Sequence, residues 1–225
     1  MRTVSFLLLM GYAFVASAQQ DAQVRELPYF NKLRITNEVK VYITRGDNQF
    51  ARVVVSGLEP DNLVIDVIGK TLMISFKGGV FKNVSAEVYL TCQDLRDIYV
   101  SNFGRVSLQN ELVGDTVVMN AHNGAQIDAE LNLKYLNIKA TKGAVIRLKG
   151  QVGSYKATIS SGATLSALEL NADSVSVKAT TKAIAKVAAK EVLDAKIRSG
   201  ATLTILGEPA NKNIKKRSGA TILEQ

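Results

Sequence analysis

The stretch Lys196-Ile197-Arg198-Ser199-Gly200-Ala201-Thr202-Leu203 returns nineteen residues later as Lys215-Lys216-Arg217-Ser218-Gly219-Ala220-Thr221-Ile222, and Ser161-Gly162-Ala163-Thr164 carries its central phrase a third time. Looser copies extend the beat toward the N-terminus. One marker per copy gives Gly104, Gly124, Gly143, Gly162, Lys182, Gly200 and Gly219, spaced by 20, 19, 19, 20, 18 and 19 residues. A period near 19 residues is the signature of a solenoid, in which each repeat is one turn that cannot bury its own apolar face until a neighbour stacks on it.

Strand side chains alternate faces with period two, and the columns of the repeat sort accordingly. Seven residues before the marker stand Val117, Leu136, Tyr155, Val175 and Leu193, and five before stand Met119, Ile138, Ala157, Val177, Ala195 and Ile214. Ala121, Ala140, Ile159, Ala179 and Ile197 complete an inward stripe three before it. The intervening column, four before the marker, reads Asn120, Lys139, Thr158, Lys178, Lys196 and Lys215 and is expected to face water. Past the marker, alanine follows in six of seven repeats, as fits a crowded inner corner. Glycine reaches positive φ without steric cost, so Gly104, Gly124, Gly143, Gly162, Gly200 and Gly219 are read as structural corner residues between two inward-facing strands. Lys182 breaks that column, and a local irregularity is expected at its rung.

These columns predict an all-β chain: a single-stranded parallel β-helix of about 19 residues per turn, right-handed by the chirality of parallel crossovers. Residues 28–100 also alternate, as in Val39-Lys40-Val41-Tyr42-Ile43, but their turn signals fall at irregular spacing and lack the glycine corner. They are read as an N-terminal β-rich cap, partly hairpins, that merges into the first turns. Lys212 and Lys216 stand in columns that are apolar elsewhere, which predicts a polar, self-capping last rung. The organisation expected is a signal peptide over 1–18, an N-terminal extension over 19–27, the cap over 28–100 and β-helix repeats over 101–225. Residues 28–225 are expected to form one continuous domain.

The signal-peptide reading rests on Arg2, the mostly apolar run from Val4 to Val15 and the small-residue site Ala16-Ser17-Ala18. Elsewhere no stretch approaches the roughly 20 apolar residues of a spanning helix, so an exported protein is expected, periplasmic, outer-surface or secreted. The chain carries 28 Lys and Arg against 20 Asp and Glu, a formal charge of +8 that becomes +7 once Arg2 leaves with the signal. Cys92 is the only cysteine and His122 the only histidine, so neither an intramolecular disulfide nor a multi-histidine metal site is available. There is no Gly-x-Ser-x-Gly elbow and no nucleotide fingerprint, so no cofactor, metal or nucleic-acid partner is expected.

A signal peptide, an alternating β-segment and then Asn-Gly-Ala-Gln, Lys-Gly-Ala-Val and Ser-Gly-Ala-Thr near every 19 residues together resemble the head GIN domain family over roughly residues 28–223. That family is described as auto-transporter adhesins, secreted by Gram-negative bacteria. The resemblance implies a β-helical head at the cell envelope and supplies no catalytic residues to carry over. Up to Gln225 no C-terminal membrane-barrel segment of the kind auto-transport requires is seen.

The candidate binding surface is the outward basic ladder Lys139, Lys178, Lys196 and Lys215, flanked by Lys156, Arg198 and Arg217. Residues recurring once per turn lie about 5 Å apart, and like charges on neighbouring strands repel. A stripe kept at that cost suits a regularly spaced polyanion such as an acidic glycan, although lysines are also ordinary gatekeepers on a solvated sheet. Asp173 and Glu191, both nine residues before their markers, are the one carboxylate pair at a spacing a glycosidase could use. No aromatic sugar platform accompanies them. The reading is therefore a non-enzymatic binding or adhesion protein of the envelope, monomeric or weakly dimeric. A polysaccharide-active enzyme and a self-associating structural protein are the alternatives.

Overall fold

The computed structural model describes residues 23–57, 59–78 and 84–225, so the signal segment expected over 1–18 lies outside the described residues. The chain runs through β1 (Gln23–Glu26), β2 (Lys32–Ile35), β3 (Val39–Arg45), β4 (Phe50–Ser56), β5 (Leu63–Ile68), β6 (Thr71–Phe76), β7 (Ser85–Cys92), β8 (Asp97–Ser101) and β9 (Arg105–Leu108). It continues through β10 (Leu112–His122), β11 (Gln126–Thr141), β12 (Val145–Ser160), β13 (Thr164–Thr180), β14 (Ile184–Ala188), β15 (Val192–Ile197), β16 (Thr202–Leu206), β17 (Asn211–Lys216) and β18 (Thr221–Glu224). Among the described residues, every strand belongs to one sheet and the helical content is a single 3-10 turn at Pro60–Asn62.

From β8 onward all pairing is parallel and joins each residue to its equivalent one turn on. Ile138 pairs with Met119 and Ala157, and Ala140 with Ala121 and Ile159, as the column arithmetic requires. The inward columns are buried: Leu136, Met119, Ile159, Ile127, Leu165 and Leu203 each keep 2% exposure or less. The solenoid is thus the predicted one. Where two or three short strands per repeat were expected, β11, β12 and β13 each run unbroken for 16 or 17 residues. Their bends occur inside the ladder, where two successive side chains turn outward, as at Lys134 and Tyr135.

The glycine corner has a sharper form than the sequence suggests, because two consecutive residues take left-handed backbone. Gly124, Gly143, Gly162, Gly200 and Gly219 have φ of 70–71°, and the residue before each, from Asn123 to Ser218, has φ of 51–57°. Each marker amide also donates to the corner carbonyl of the next rung at 3.0 Å, from Gly124 to Lys142 through Gly200 to Ser218. Gly104 is a correction to the sequence reading. Its amide bonds to Ser101 as Ala144 does to Thr141, and the left-handed pair of its rung is Asn102 and Phe103. Gly104 therefore sits in the alanine column, where an added Cβ would lie 3.0 Å from the Asn37 carbonyl and the Val100 side chain. Small size is the requirement there.

Lys182 keeps the corner at φ 56° behind Thr181 at φ 55°. A left-handed side-chain-bearing residue costs roughly 1–2 kcal/mol, and a β-branched one is a true outlier. The corner itself is regular, its amide bonding Ser199 at 3.0 Å as the glycines bond theirs; β14 and β15 beyond it are separate strands, and in the turn before it the β12–β13 ladder slips between Arg147 and Lys149. That slip absorbs the extra residue in the spacing of 20.

The N-terminal cap shares the same core rather than sitting on it. β2 lies between β6 and β8, and β3 between β7 and β9, all parallel, so the first turn of the chain is the second or third rung in space. Antiparallel strands then close the end, with β4 and β1 beyond β7 and β5 beyond β6. Phe30 is fully buried beneath them. At the far end Lys212, in the inward column, reaches across to Glu224 at 2.9 Å and closes the last rung.

Lys182→Gly is expected to raise stability by about 1 kcal/mol, because relief of the left-handed strain exceeds the entropy glycine costs, and Gly162→Ala to lower it by a similar amount. Urea midpoints measure both. Tyr155 is 3% exposed, with a hydroxyl that meets no partner, and burial pushes its phenol well above the ordinary value of 10.0. Its folded form holds the proton more tightly than the unfolded chain, so stability falls as pH rises above about 10. Tyr155→Phe is expected to stabilise at neutral pH and to flatten that alkaline loss, as pH-dependent denaturation would show.

Candidate functional site

Each turn presents two flanks to solvent: flank A, formed by the residues before the glycine corner, and flank B, formed by those after it. The middle outward column of flank A runs in unbroken register through Met73, Arg34, Tyr99, Asn120, Lys139, Thr158, Lys178, Lys196 and Lys215. Beside it lies Lys32, Asp97, Val118, Asn137, Lys156, Ser176, Asp194 and Asn213. On the other side, Arg198 and Arg217 continue the line of His122, Thr141, Ser160 and Thr180.

Six of the seven basic residues named from sequence line one groove of about 610 Å³: Lys156, Lys178, Lys196, Arg198, Lys215 and Arg217. Lys139, the seventh, lies one step along the shaft in a neighbouring concavity that it shares with Lys156. The backbone ladder brings them together, since Lys178, Lys196 and Lys215 are direct partners on three successive rungs, about 4.8 Å apart. Asp194, which sequence reading did not single out, is the one carboxylate in the groove. It stands 3.9 Å from Lys196 and accepts a hydrogen bond from Asn213 at 3.0 Å. One carboxylate against six cations leaves the groove strongly positive.

Flank B handles charge differently. Asp128 meets Arg147 at 3.0 Å and Glu130 meets Lys149 at 2.9 Å, each pair bridging two neighbouring rungs. The Glu130 carboxylate beside Lys149 holds its ammonium above the usual range. At the bend between the flanks, Asp115 and Lys134 meet at 2.7 Å. Opposite charges on adjacent strands attract and like charges repel, so the flank B pattern is the one that stability alone would select. The flank A ladder is not.

The remaining candidates fall elsewhere. Asp173 and Glu191 lie on adjacent rungs, joined through their backbones at 3.0 Å, both exposed and outside the basic groove. His122 packs on flank A, its Nδ1 hydrogen-bonded to the Thr141 hydroxyl. Cys92 is buried, and burial pushes its thiol up to about 11. That keeps it protonated and inert. Among the described residues no helix is long and apolar enough to cross a membrane.

The molecule is thus a capped parallel β-solenoid with a cationic groove along one flank and ion pairs bridging neighbouring rungs on the other. It belongs to the family described as "putative auto-transporter adhesin, head GIN domain", which matches residues 29–209. Among solved structures it is similar to a putative adhesin of Bacteroides fragilis, with a TM-score of 0.82 and 20% identity over 93% of this chain and 98% of that one. A putative adhesin of Parabacteroides merdae gives 0.73 and 18% identity, covering 91% and 95%. A protein of Parabacteroides distasonis described as a putative lipid binding protein gives 0.70 and 14%, covering 91% and 96%. At these identities the likeness shows the shared fold. No curated protein matches the chain at a significant level.

A double-mutant cycle on Lys178 and Lys196 is expected to return a repulsive coupling at low salt that vanishes at high salt. The same cycle on Asp128 and Arg147 should return an attractive one. Chemical denaturation at two ionic strengths measures both signs.

Proposed function

We propose that this chain is an exported, non-enzymatic envelope protein whose flank A groove binds an acidic glycan. The observation that carries the reading is the excess of positive charge: six basic side chains face one carboxylate in a single groove, whereas on flank B Asp128 meets Arg147 and Glu130 meets Lys149 across neighbouring rungs. A linear polyanion laid along the shaft meets a cation on each of three successive rungs and replaces mutual repulsion with attraction. Rigidity helps, because strands locked in register need little reordering on binding. Membership of an adhesin family supports a binding role, and the residues read as a signal support export. The last rung disfavours self-association through that end, since Lys212, Lys215, Lys216 and Arg217 would face their own copies.

The test is retention on immobilised polygalacturonate. The triple variant Lys178→Glu, Lys196→Glu, Lys215→Glu should elute at much lower salt than the wild type, and removal of salt should sharpen the difference. A control with the same change of net charge on flank B, Arg147→Glu, Lys149→Glu, Lys186→Glu, should stay close to the wild type. Equal loss from both variants would mean that retention reports net charge rather than the groove. Binding to phosphatidylglycerol vesicles without retention on the glycan would move the reading to an anionic lipid headgroup.

A further inference from the structure

A second feature, on flank B and independent of the cationic groove, comes from residues far apart in sequence. One outward column runs from Arg52 on β4 to Tyr89 on β7, Tyr42 on β3, Ser107 on β9, Asp128 on β11 and Arg147 on β12, each the register partner of the next. Its first three members form a stack. The guanidinium carbon of Arg52 lies 4.1 Å from the Tyr89 ring centre, and the Tyr89 and Tyr42 rings are 5.1 Å apart and 22° from parallel. Its last two are the ion pair at 3.0 Å.

Between them stands Ser107, too small to fill its rung. Tyr42 and Asp128 are two rungs apart, about 9.6 Å along the shaft. One face of the Tyr42 ring is covered by Tyr89, and the other overlooks the serine. Ser107 also lines a groove of about 430 Å³ whose charged and amide walls are Gln109, Asp128, Glu130, Arg147, Lys149 and Glu169; Tyr42 borders that groove through its register with Ser107 rather than lining it. That volume is within the size range of small-molecule sites. The floor is polar, with the Gln109 amide donating to the Ser107 hydroxyl at 3.1 Å.

We infer that this slot is a second binding site and that its ligand is an uncharged hexose residue of a glycan. A pyranose ring presents a face of C–H bonds, weakly positive, which suits the negative face of an aromatic ring. Its rim presents vicinal hydroxyls, which need paired donors and acceptors. Arg147 and Asp128 supply both side by side, with Glu130 and Lys149 one step outward. With Glu169 the groove holds three carboxylates against two cations, so it offers nothing to a net anion, and a neutral ligand brings no charge of its own to bury. The ring wall is held in place beforehand: Tyr89 donates to Glu87 at 3.1 Å, Glu87 is tied to Lys40 at 3.1 Å, and Arg52 backs the stack. Little ordering remains to be done on binding.

Saturation-transfer NMR with neutral tetrasaccharides of glucose, mannose and galactose tests the site on the whole protein. At least one should receive magnetisation on its ring C–H protons. Tyr42→Ala and Ser107→Phe should each weaken that binding by about tenfold or more, the first by removing the wall and the second by filling the slot. Tyr42→Phe should bind like the wild type, and so should Lys178→Glu with Lys196→Glu, which separates this site from the acidic-glycan reading. Ser107→Phe gives up the exposed hydrogen bond from Gln109 to the Ser107 hydroxyl, so circular dichroism matching the wild type is the check that makes its result decisive. Absence of transfer to all three sugars at about 10 mM, or unchanged binding by the folded Ser107→Phe protein, would overturn the inference.

Discussion

Parallel backbone pairing between one turn and the next is the constraint from which the rest of this structure follows. Each amide and carbonyl of a rung finds its partner in the rungs above and below, so a residue must stand directly over its equivalent. A slip of one position would turn every inward side chain to water. The repeat therefore places Ile over Met, Ala over Ile and glycine over glycine, and the core is a set of stacked columns rather than a cluster. Large and small residues alternate along those columns, as with Ile138, Ala157 and Val177, which lets neighbouring rungs fill space that a uniform column would leave or overfill.

The same constraint acts on the outside, where it is a liability. Any charge repeated once per turn meets its own kind at about 4.8 Å unless the sign alternates. On flank B the sign alternates at Asp128 over Arg147 and at Glu130 over Lys149, while Lys40 stands over Arg105. Flank A stacks Lys178, Lys196 and Lys215. The two arrangements are built on the same backbone, and the repulsive one is the feature on which the proposed binding role rests. Exposed ion pairs contribute little to stability, so the contrast matters for what the two surfaces attract more than for how firmly the solenoid holds together.

At the N-terminal end the chain ceases to wind in order. β2 and β3 are laid between strands that come later in sequence, and antiparallel strands cover the opening. A regular solenoid exposes unpaired backbone at each end. Here one end is closed by reversed strands over Phe30, and the other by lysines along β17 and the Lys212–Glu224 bridge. Interleaving also sets Tyr42 beside Tyr89 and Ser107, a neighbourhood that winding in order would not have produced.

Sequence by itself determined whatever recurs at constant separation. The period, the inward columns, the glycine corners and the basic ladder were all legible because each contact in the solenoid joins residues about 19 apart. A pattern of that kind is written along the chain. Even there the markers ran one residue astray at Gly104: glycine can answer a need for small size as well as a need for positive φ, and only the backbone tells them apart. The place of Asp194 in the cationic groove, the insertion of β2 and β3 and the aromatic stack needed the tertiary structure. Tyr42 and Tyr89 meet across 47 residues, and Tyr42 meets Ser107 across 65. Neither separation is a multiple of the period near 19 residues, so the repeat could not have announced them.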